Sequence, residues 1–180
     1  HDSRQISSSC NTFIAIKGAS HDGHDFIKRA IENGALIIFH DKELQAYEEG
    51  ISYIRVNNTS LSLGEICNFF YHYPFKDIKI IAVTGTNGKT SVANYCYQSL
   101  CSLEYKPLLL STAGDFFAGK KINLNRRAPS TLETIEFFKV VALYKKRGLT
   151  HVCLEATSQA LDQNRLGGIS IDYAVFTNLE

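Results

Sequence analysis

Residues 78–91 read Ile-Lys-Ile-Ile-Ala-Val-Thr-Gly-Thr-Asn-Gly-Lys-Thr-Ser, and they contain the clearest structural signal in the chain. The run 78–83 is short, apolar and rich in β-branched residues, which predicts a strand buried on both faces, as in a parallel sheet. Gly85 and Gly88 bracket a tight turn, and a helix is expected from Lys89 onward. A strand, a glycine turn and a helix in this order predict a phosphate-binding loop, or P-loop.

The residue types of this loop explain how it would hold a nucleotide. Glycines let backbone N–H groups approach phosphate oxygens, and the helix N-terminus adds a partial positive charge. Lys89 is the candidate catalytic residue because it supplies a full positive charge, and the Thr90 hydroxyl can hold Mg²⁺. The predicted ATP-binding residues are Gly85, Thr86, Asn87, Gly88, Lys89, Thr90 and Ser91.

The loop is shorter than the common template, which has a glycine where this chain has Val83. The plainer alternative is a helix start with a chance Gly-Lys-Thr. The strand before the turn, both glycines, the lysine and the threonine coincide, and together they favour the phosphate-binding loop.

Composition favours a globular protein. The 180 residues allow one large domain or two small ones, and 44% of them are hydrophobic, enough to supply a core. A net charge of +1 favours neither nucleic acid nor a membrane surface as a partner. No apolar run could span a bilayer and no signal peptide starts the chain, so we expect a cytoplasmic protein. We also expect a monomer. The five cysteines include no Cys-x-x-Cys pair, which predicts reduced thiols rather than a zinc site.

Strands and helices alternate along the chain, which predicts an α/β fold. We expect a small α/β domain over residues 1–74, followed by an incomplete parallel-sheet ATPase domain over 75–180. Strands are predicted at 12–17, 35–39, 52–56, 78–83, 106–111, 151–155 and 171–177. Helices are predicted at 25–33, 42–49, 58–73, 89–103 and 130–147, with a helix or turn at 156–164.

Three finer expectations concern side chains. In the helix at 58–73, the side chains expected to point into the core are those of Leu61, Ile66, Phe69 and Phe70. Ser130 is expected to cap the following helix, with Glu133 completing a capping box. The segment 112–129 is expected to be a loop-rich excursion whose basic residues are solvated or meet a pyrophosphate, with solvation favoured; these are Lys120, Lys121, Arg126 and Arg127.

Several stretches, in the right order, resemble the Mur ligase family. The loop Thr-Gly-Thr-Asn-Gly-Lys-Thr is similar to the family's ATP loop. Residues 22–27 (Asp-Gly-His-Asp-Phe-Ile) resemble the uridine-binding domain of the MurE branch, which adds the third peptide residue. Residues 155–161 resemble the branch's Glu-Val-Ser-Ser-His-Ala-Leu segment, with Gln159 in place of its His, and residues 176–179 match its Phe-Thr-Asn-Leu.

The resemblance implies a chemistry and a set of site residues. The family transfers the ATP γ-phosphoryl group to a substrate carboxylate, and an amine then displaces phosphate. Lys89 would bridge the β- and γ-phosphates, and Thr90 and Glu155 would hold Mg²⁺. The implied partners are UDP-N-acetylmuramoyl-L-Ala-D-Glu and a diamino acid, either diaminopimelate or lysine. The implied substrate contacts are Ser3, Ala19, Ser20, His21, Arg127, Ala128, Thr157, Gln163 and Arg165.

Plainer alternatives stay open for several of these residues. Glu155 could be a solvated acid at a helix start, and Arg165 could be a surface cation. His21 and His24 could suggest a metal, but two His in a loop without a third ligand are expected to face solvent. Residues 126–129 read Arg-Arg-Ala-Pro where the family usually has a threonine-rich motif, so they lack the hydroxyl groups of that motif.

For the chain as a whole, the alternatives are another Mur-fold ligase, such as a MurF-type enzyme or a folylpolyglutamate synthase, and a nucleotide-binding fragment without catalysis. A P-loop kinase or GTPase ranks last, since no Asn-Lys-x-Asp motif is present. The sequence contains no Met, so we expect a fragment that starts after the true N-terminus. Without the family's C-terminal domain, it is expected not to ligate by itself.

Overall fold

The computed structural model describes residues 11–18, 21–126 and 130–179. The chain divides into two compact units, residues 1–63 and 64–180. Strands β1 to β9 are Thr12–Ile14, Ile37–His40, Ser52–Arg55, Lys79–Thr84, Pro107–Ser111, Gly114–Phe117, Lys120–Ile122, His151–Glu155 and Tyr173–Phe176. Helices α1 to α5 are Ile27–Glu32, Thr59–Phe70, Lys89–Ser102, Thr134–Lys145 and Ser158–Asp162, and a 3₁₀ turn at Gly23–Phe26 precedes α1. Within the described ranges, every helix falls short of the length and apolar character needed to traverse a bilayer.

The first unit contains a three-stranded parallel sheet in the order β1-β2-β3. Its core is formed by apolar side chains of β1, β2 and α1, among them Phe13, Ile27 and Ile38. The predicted helix at 42–49 is wrong, because this segment is irregular. Instead, the Tyr47 ring packs edge-on against Tyr53 of β3 at 4.9 Å between centroids, which ties the segment to the sheet.

The second unit contains a six-stranded sheet in the order β7-β6-β5-β8-β4-β9. Strands β5, β8, β4 and β9 run parallel, and β6 and β7 are antiparallel additions at one edge. The strand that leads into the P-loop, β4, lies between β8 and β9. The prediction of an α/β fold with a parallel sheet is confirmed.

Both faces of this parallel sheet are covered by helices. On one face, Ile80 of β4 packs into a cluster with Phe137 of α4. On the other face, Val83 of β4 packs with Ala93 of α3. Ile80 and Val83 are both fully buried. Burial on both faces explains why this strand is continuously apolar rather than alternating with polar residues.

The loop-rich segment 112–129 contains a β-hairpin that was not predicted. Strands β6 and β7 are joined by Ala118 and Gly119, whose φ angles are +45° and +83°. Two consecutive positive φ angles are typical of the tight two-residue turns that match the twist of a hairpin. The prediction of a loop-rich segment did not include these two strands.

Helix α2 buries a different face from the one predicted. Leu61, Phe69 and Phe70 are 56%, 77% and 71% exposed, whereas Leu63 and Cys67 are buried. Residues 63 and 67 are four apart and lie on one face, whereas residues 61 and 69 lie on other faces. Phe70 shares the face of residues 63 and 67, but it is the last residue of the helix and stays exposed there. The expectation that these three side chains point inward is wrong.

The predicted capping box at Ser130 does not form. Helix α4 begins at Thr134, and its N-cap is Glu133, without a side-chain capping bond. The Ser130 carbonyl oxygen instead accepts a hydrogen bond from Arg126 Nη1 at 3.0 Å.

Arg126 is a largely buried residue with structural contacts rather than a solvated cation. Its side chain is 12% exposed, and its Nε lies 3.1 Å from Asp115 Oδ2. It also donates hydrogen bonds to the carbonyl oxygens of Ser111 and Ser130. Burial raises the pKa of Asp115, although the Arg126 charge opposes this shift. The expectation of solvation is wrong for Arg126, whereas Lys120 and Lys121 are exposed.

Candidate functional site

The P-loop connects the carboxyl end of β4 to α3. Gly85 and Gly88 have φ angles of +134° and +83°, a region that favours glycine, and Gly88 is the N-cap of α3. Lys89 Nζ donates hydrogen bonds to the carbonyl oxygens of Gly85 and Thr86 at 2.7 and 2.8 Å. The ammonium group therefore lies over the loop, close to the first turn of the helix. Ser91, the last of the predicted ATP-binding residues, is exposed in that turn.

A chain of side-chain oxygens links the P-loop to the neighbouring strands. Thr90 Oγ1 lies 3.0 Å from Thr112 Oγ1, which lies just past the carboxyl end of β5. The Thr112 backbone N–H and hydroxyl donate to Glu155 Oε1 at 2.9 and 3.1 Å. Glu155 ends β8, and its register partner on β4 is Val83, as expected for an acid beside the P-loop strand. Thr112 therefore bridges the two candidate Mg²⁺ ligands.

Glu155 is an acid in an unusual setting for a charge. It is only 1% exposed, so it is not a solvated acid at a helix start. Among residues 11–18, 21–126 and 130–179, none forms an ion pair with it. A buried carboxylate with hydrogen bonds but no countercharge is suited to hold a cation.

The donor atoms at this edge of the sheet fit Mg²⁺. The described residues contain no cluster of three or more His, Cys, Asp or Glu side chains able to hold a metal. Mg²⁺ does not need such a cluster, because it prefers oxygen ligands and is usually held by one or two carboxylates, several waters and substrate phosphates. The Glu155 carboxylate and the Thr90 hydroxyl supply oxygen donors of this kind.

A second group of polar side chains surrounds Arg165. Its Nε and Nη2 donate to Gln163 Oε1 at 2.9 and 2.7 Å, and its Nη1 donates to the Thr131 carbonyl oxygen at 3.2 Å. Arg165 Nη2 also lies 3.1 Å from Glu133 Oε1. The side chain is only 16% exposed, so Arg165 is a held residue rather than a free surface cation.

Thr131 joins this second group to the candidate metal ligand. Its buried hydroxyl donates to the Glu155 carbonyl oxygen at 2.8 Å and accepts from the Thr157 backbone N–H at 3.3 Å. The Thr157 hydroxyl caps α5 by accepting from the Ala160 N–H at 3.2 Å. The structure thus brings Thr157, Gln163 and Arg165 to one side of Glu155.

The remaining predicted substrate contacts fall in different parts of the chain. His21 is exposed in the first unit, and its ring lies 6.3 Å from that of Phe26. The predicted contacts Ser3, Ala19, Ser20, Arg127 and Ala128 lie outside the described residues.

His24 is buried between two carboxylates, so the expectation that it faces solvent is wrong. Its side chain is 8% exposed, with Nδ1 2.7 Å from Asp22 Oδ1 and Nε2 3.1 Å from Asp41 Oδ1. The Asp41 carboxylate also accepts from the Thr59 N–H and hydroxyl at 2.9 and 3.0 Å, which fixes the start of α2. This cluster is a structural brace of the first unit.

The brace predicts a loss of stability in acid. Hydrogen bonds from Lys42 and His24 hold the pKa of Asp22 well below its ordinary value. Burial opposes the shift at Asp41, but the hydrogen bonds from Thr59 outweigh it and lower the pKa. A carboxyl with a depressed folded-state pKa stabilises the fold above its ordinary pKa of about 4, and this stabilisation is lost as the pH falls further. The urea midpoint should therefore fall between about pH 6 and about pH 3.

Two variants test this expectation. Asp41→Asn should lower the urea midpoint near neutral pH and flatten its fall in acid, because the titrating group is gone. Asp25→Asn changes an exposed acid next to His24 and should leave the fall of the urea midpoint in acid unchanged. An equally steep fall in Asp41→Asn would contradict the assignment.

Four residues of this site were not among the predicted site residues. Two of them, Thr112 and Thr131, contact Glu155 at the carboxyl end of β8. The other two, Thr177 and Asn178, contact Asn87 of the P-loop. A usable signal existed for three of them. Thr112, Thr177 and Asn178 directly follow predicted strands or end them, where parallel sheets collect ligand-binding residues.

Comparison with known protein families gives matches to both units. The Mur ligase middle domain matches residues 83–180, and the domain described as the Mur ligase family catalytic domain matches residues 1–71. The predicted resemblance to this family is confirmed.

Two curated relatives illustrate the similarity. The UDP-N-acetylmuramoyl-L-alanyl-D-glutamate–2,6-diaminopimelate ligase 2 of Clostridium acetobutylicum is 35% identical over 167 residues, covering 93% of this chain and 35% of the relative. The UDP-N-acetylmuramyl-tripeptide synthetase of Borreliella afzelii is 36% identical, covering 93% of this chain and 34% of the relative. The chain thus spans about a third of the length of these relatives.

Solved structures agree with the fold. A UDP-N-acetylmuramoyl-L-alanyl-D-glutamate–2,6-diaminopimelate ligase aligns with a TM-score of 0.79 and 28% identity, covering 99% of this chain and 35% of the other. The MurF ligase of Thermotoga maritima in complex with ADP aligns with a TM-score of 0.61 over 98% of this chain and 36% of the other. At 22% identity, the second likeness concerns the fold alone.

Proposed function

Because the chain belongs to the Mur ligase family, we propose that the protein acts as an ATP-dependent ligase in peptidoglycan synthesis, adding the third amino acid to UDP-N-acetylmuramoyl-L-Ala-D-Glu. The observation on which the proposal rests is the meeting of Lys89, Thr90 and Glu155 at one edge of the sheet. The name of the Clostridium acetobutylicum relative supports this acceptor and diaminopimelate as the incoming amino acid. Lysine is the alternative incoming amino acid.

ATP is proposed to bind with its phosphates over the P-loop. The first N–H groups of α3 have no partner within the helix and can donate to phosphate oxygens. Lys89 would exchange the carbonyl oxygens of Gly85 and Thr86 for phosphate oxygens, which are charged and form stronger hydrogen bonds. Mg²⁺, held by Thr90 and Glu155, would neutralise phosphate charge. The work of these residues is positioning and charge neutralisation.

The two parts of the chain are proposed to have different tasks. Residues 1–74 would bind the UDP-sugar, with contacts from Ser3, Ala19, Ser20 and His21, and residues 75–180 would bind ATP. The muramoyl peptide would meet Thr157, Gln163, Arg165, Arg127 and Ala128. Arg165 is already paired with Glu133, so a substrate carboxylate would have to share or replace that acid in the guanidinium fork.

Calorimetry tests the proposal directly. The chain is titrated with Mg-ATP and, separately, with UDP-N-acetylmuramoyl-L-Ala-D-Glu, and binding of both is expected. Binding of Mg-ATP alone would favour a Mur-fold ligase with a different acceptor, such as a MurF-type enzyme or a folylpolyglutamate synthase. Binding of neither would contradict the proposal for this chain.

Thr112 is expected to support Mg²⁺ binding without touching the metal. Thr112→Val removes the hydroxyl between Thr90 and Glu155 and keeps the side-chain volume. Loss of a residue that orients a metal ligand typically weakens metal affinity by about tenfold to 100-fold. We therefore expect weaker Mg²⁺-dependent binding of ATP, measured by calorimetry over a range of Mg²⁺ concentrations, with little change in its absence.

Thr150→Val is the matched control for this variant. Thr150 directly precedes β8, at the end of the sheet away from the P-loop, where its hydroxyl accepts from the Lys106 N–H. This variant should keep the normal Mg²⁺ dependence. If ATP binding by Thr112→Val depended on Mg²⁺ as in the wild type, Thr112 would have no role in Mg²⁺ binding.

A further inference from the structure

Thr177 and Asn178 directly follow β9 and contact the P-loop through both backbone and side chains. The Thr86 N–H donates to the Asn178 carbonyl oxygen at 3.0 Å, and the Asn87 N–H donates to Asn178 Oδ1 at 2.9 Å. Thr177 Oγ1 donates to the Asn87 carbonyl oxygen at 2.6 Å. Three hydrogen bonds therefore fix the tip of the loop to residues about 90 positions away in the sequence.

The contact with Thr177 and Asn178 also restricts which residue can occupy position 85, the first glycine of the P-loop. A Cβ atom at Gly85 would lie 2.1 Å from Thr177 Oγ1 and 2.9 Å from the Asn178 carbonyl oxygen. The latter atom belongs to the backbone and cannot rotate away. Together with the φ angle of +134°, this contact allows only glycine at position 85. The loop and residues 177–178 are thus packed as one unit.

These hydrogen bonds decide where the loop amides point. The amides of Thr86 and Asn87 are directed at Asn178, whereas the first amides of α3 have no partner inside the helix. The N–H groups at the tip of the loop are therefore bonded within the protein, and the N–H groups at the start of α3 are the ones available to phosphate oxygens.

We propose that Thr177 and Asn178 form a clamp, called here the β9 clamp, that holds the P-loop in the conformation that binds nucleotide phosphates. The inference rests on the proposed function, since it assigns positioning residues to the nucleotide site. A loop held in its binding conformation does not lose conformational freedom when the ligand arrives, so the clamp increases affinity without touching the nucleotide. Its loss should weaken Mg-ATP binding by about tenfold.

The experiment combines two measurements on the same variants. Asn178→Ala removes the acceptor of the Asn87 N–H, and Thr177→Val removes the hydroxyl that donates to the Asn87 carbonyl. Thr177→Ser keeps that hydroxyl and should restore wild-type behaviour. Tyr173→Thr changes an exposed residue of the same strand, β9, away from the loop and serves as the control. Mg-ATP affinity is measured by calorimetry, and exchange of the Asn87 amide is measured by NMR without nucleotide.

The clamp predicts faster exchange of the Asn87 amide in Asn178→Ala and about tenfold weaker Mg-ATP binding in both Asn178→Ala and Thr177→Val, with unchanged exchange of core amides in β4 and β8. Wild-type affinity and wild-type exchange in both variants would overturn it. If the wild-type chain binds no nucleotide, the proposed function fails, and Asn87 exchange still decides on the clamp. Faster exchange in Asn178→Ala would then support it, and unchanged exchange would refute it.

Discussion

Replacing Lys89 by Ala is expected to weaken the binding of Mg-ATP by about 100-fold. The ammonium group lies over the P-loop, where it donates to two carbonyl oxygens within 2.8 Å. A hydrogen bond to a charged group contributes about 1.5–3 kcal/mol, and about 1.4 kcal/mol corresponds to a tenfold change in affinity. Loss of the lysine removes this interaction with the phosphates. Calorimetric titration with Mg-ATP measures the effect.

Three comparisons separate a nucleotide role from a general loss of structure. Lys89→Arg keeps the charge and should retain part of the affinity. Lys120→Ala removes an exposed lysine of the β6–β7 hairpin and should bind Mg-ATP normally. Binding of UDP-N-acetylmuramoyl-L-Ala-D-Glu should survive Lys89→Ala, because its proposed contacts lie elsewhere. Normal Mg-ATP affinity in Lys89→Ala would exclude the P-loop as the nucleotide site.

The P-loop could be predicted from the sequence because all its parts are contiguous. The strand, the glycine turn and the helix start lie within residues 78–91, and helix α3 begins at Lys89 as expected. The strand His151–Glu155 was also predicted with its observed bounds. In both cases a short apolar run next to a site residue identifies a buried strand of a parallel sheet.

Helix α2 shows where a local pattern becomes ambiguous. Its apolar residues occur on more than one face, so the sequence offers several inward faces at helical spacing. The predicted face contained Leu61, Phe69 and Phe70, whereas burial selects Leu63 and Cys67. Tertiary packing made this choice, and periodicity alone could not.

The contacts that assemble the site are even less visible in the sequence. Thr112 lies 43 positions before Glu155, and Asn178 lies 91 positions after Asn87. These residues meet only because β5, β8, β4 and β9 are neighbours in that order, with their carboxyl ends at one edge. Local signals identify the ends of strands, but the strand order that brings these ends together comes from the whole chain.

Replacing Glu155 by Gln is expected to have opposite effects on metal binding and on stability. The carboxylate is 1% exposed, and no described residue forms an ion pair with it. Gln can still accept from the Thr112 N–H, so the hydrogen bond is kept while the buried charge is removed. A buried charge that no described residue neutralises destabilises the fold, so the unfolding temperature of Glu155→Gln without Mg²⁺ should equal or exceed that of the wild type. The affinity for Mg²⁺ in the ATP complex should fall by more than about 100-fold, which exceeds the effect of changing a residue that only supports a metal ligand.

Weaker Mg²⁺ binding without a loss of stability distinguishes a metal ligand from a structural acid. If Glu155 were only a structural acid, Glu155→Gln would leave the Mg²⁺ dependence of ATP binding unchanged. Glu155→Asp keeps the charge but shortens the side chain, so it should retain some Mg²⁺ dependence while disturbing the Thr112 hydrogen bonds. Glu65→Gln, at an exposed position of α2, should change neither property. A lower unfolding temperature together with normal Mg²⁺ dependence in Glu155→Gln would assign Glu155 to the fold and not to the metal.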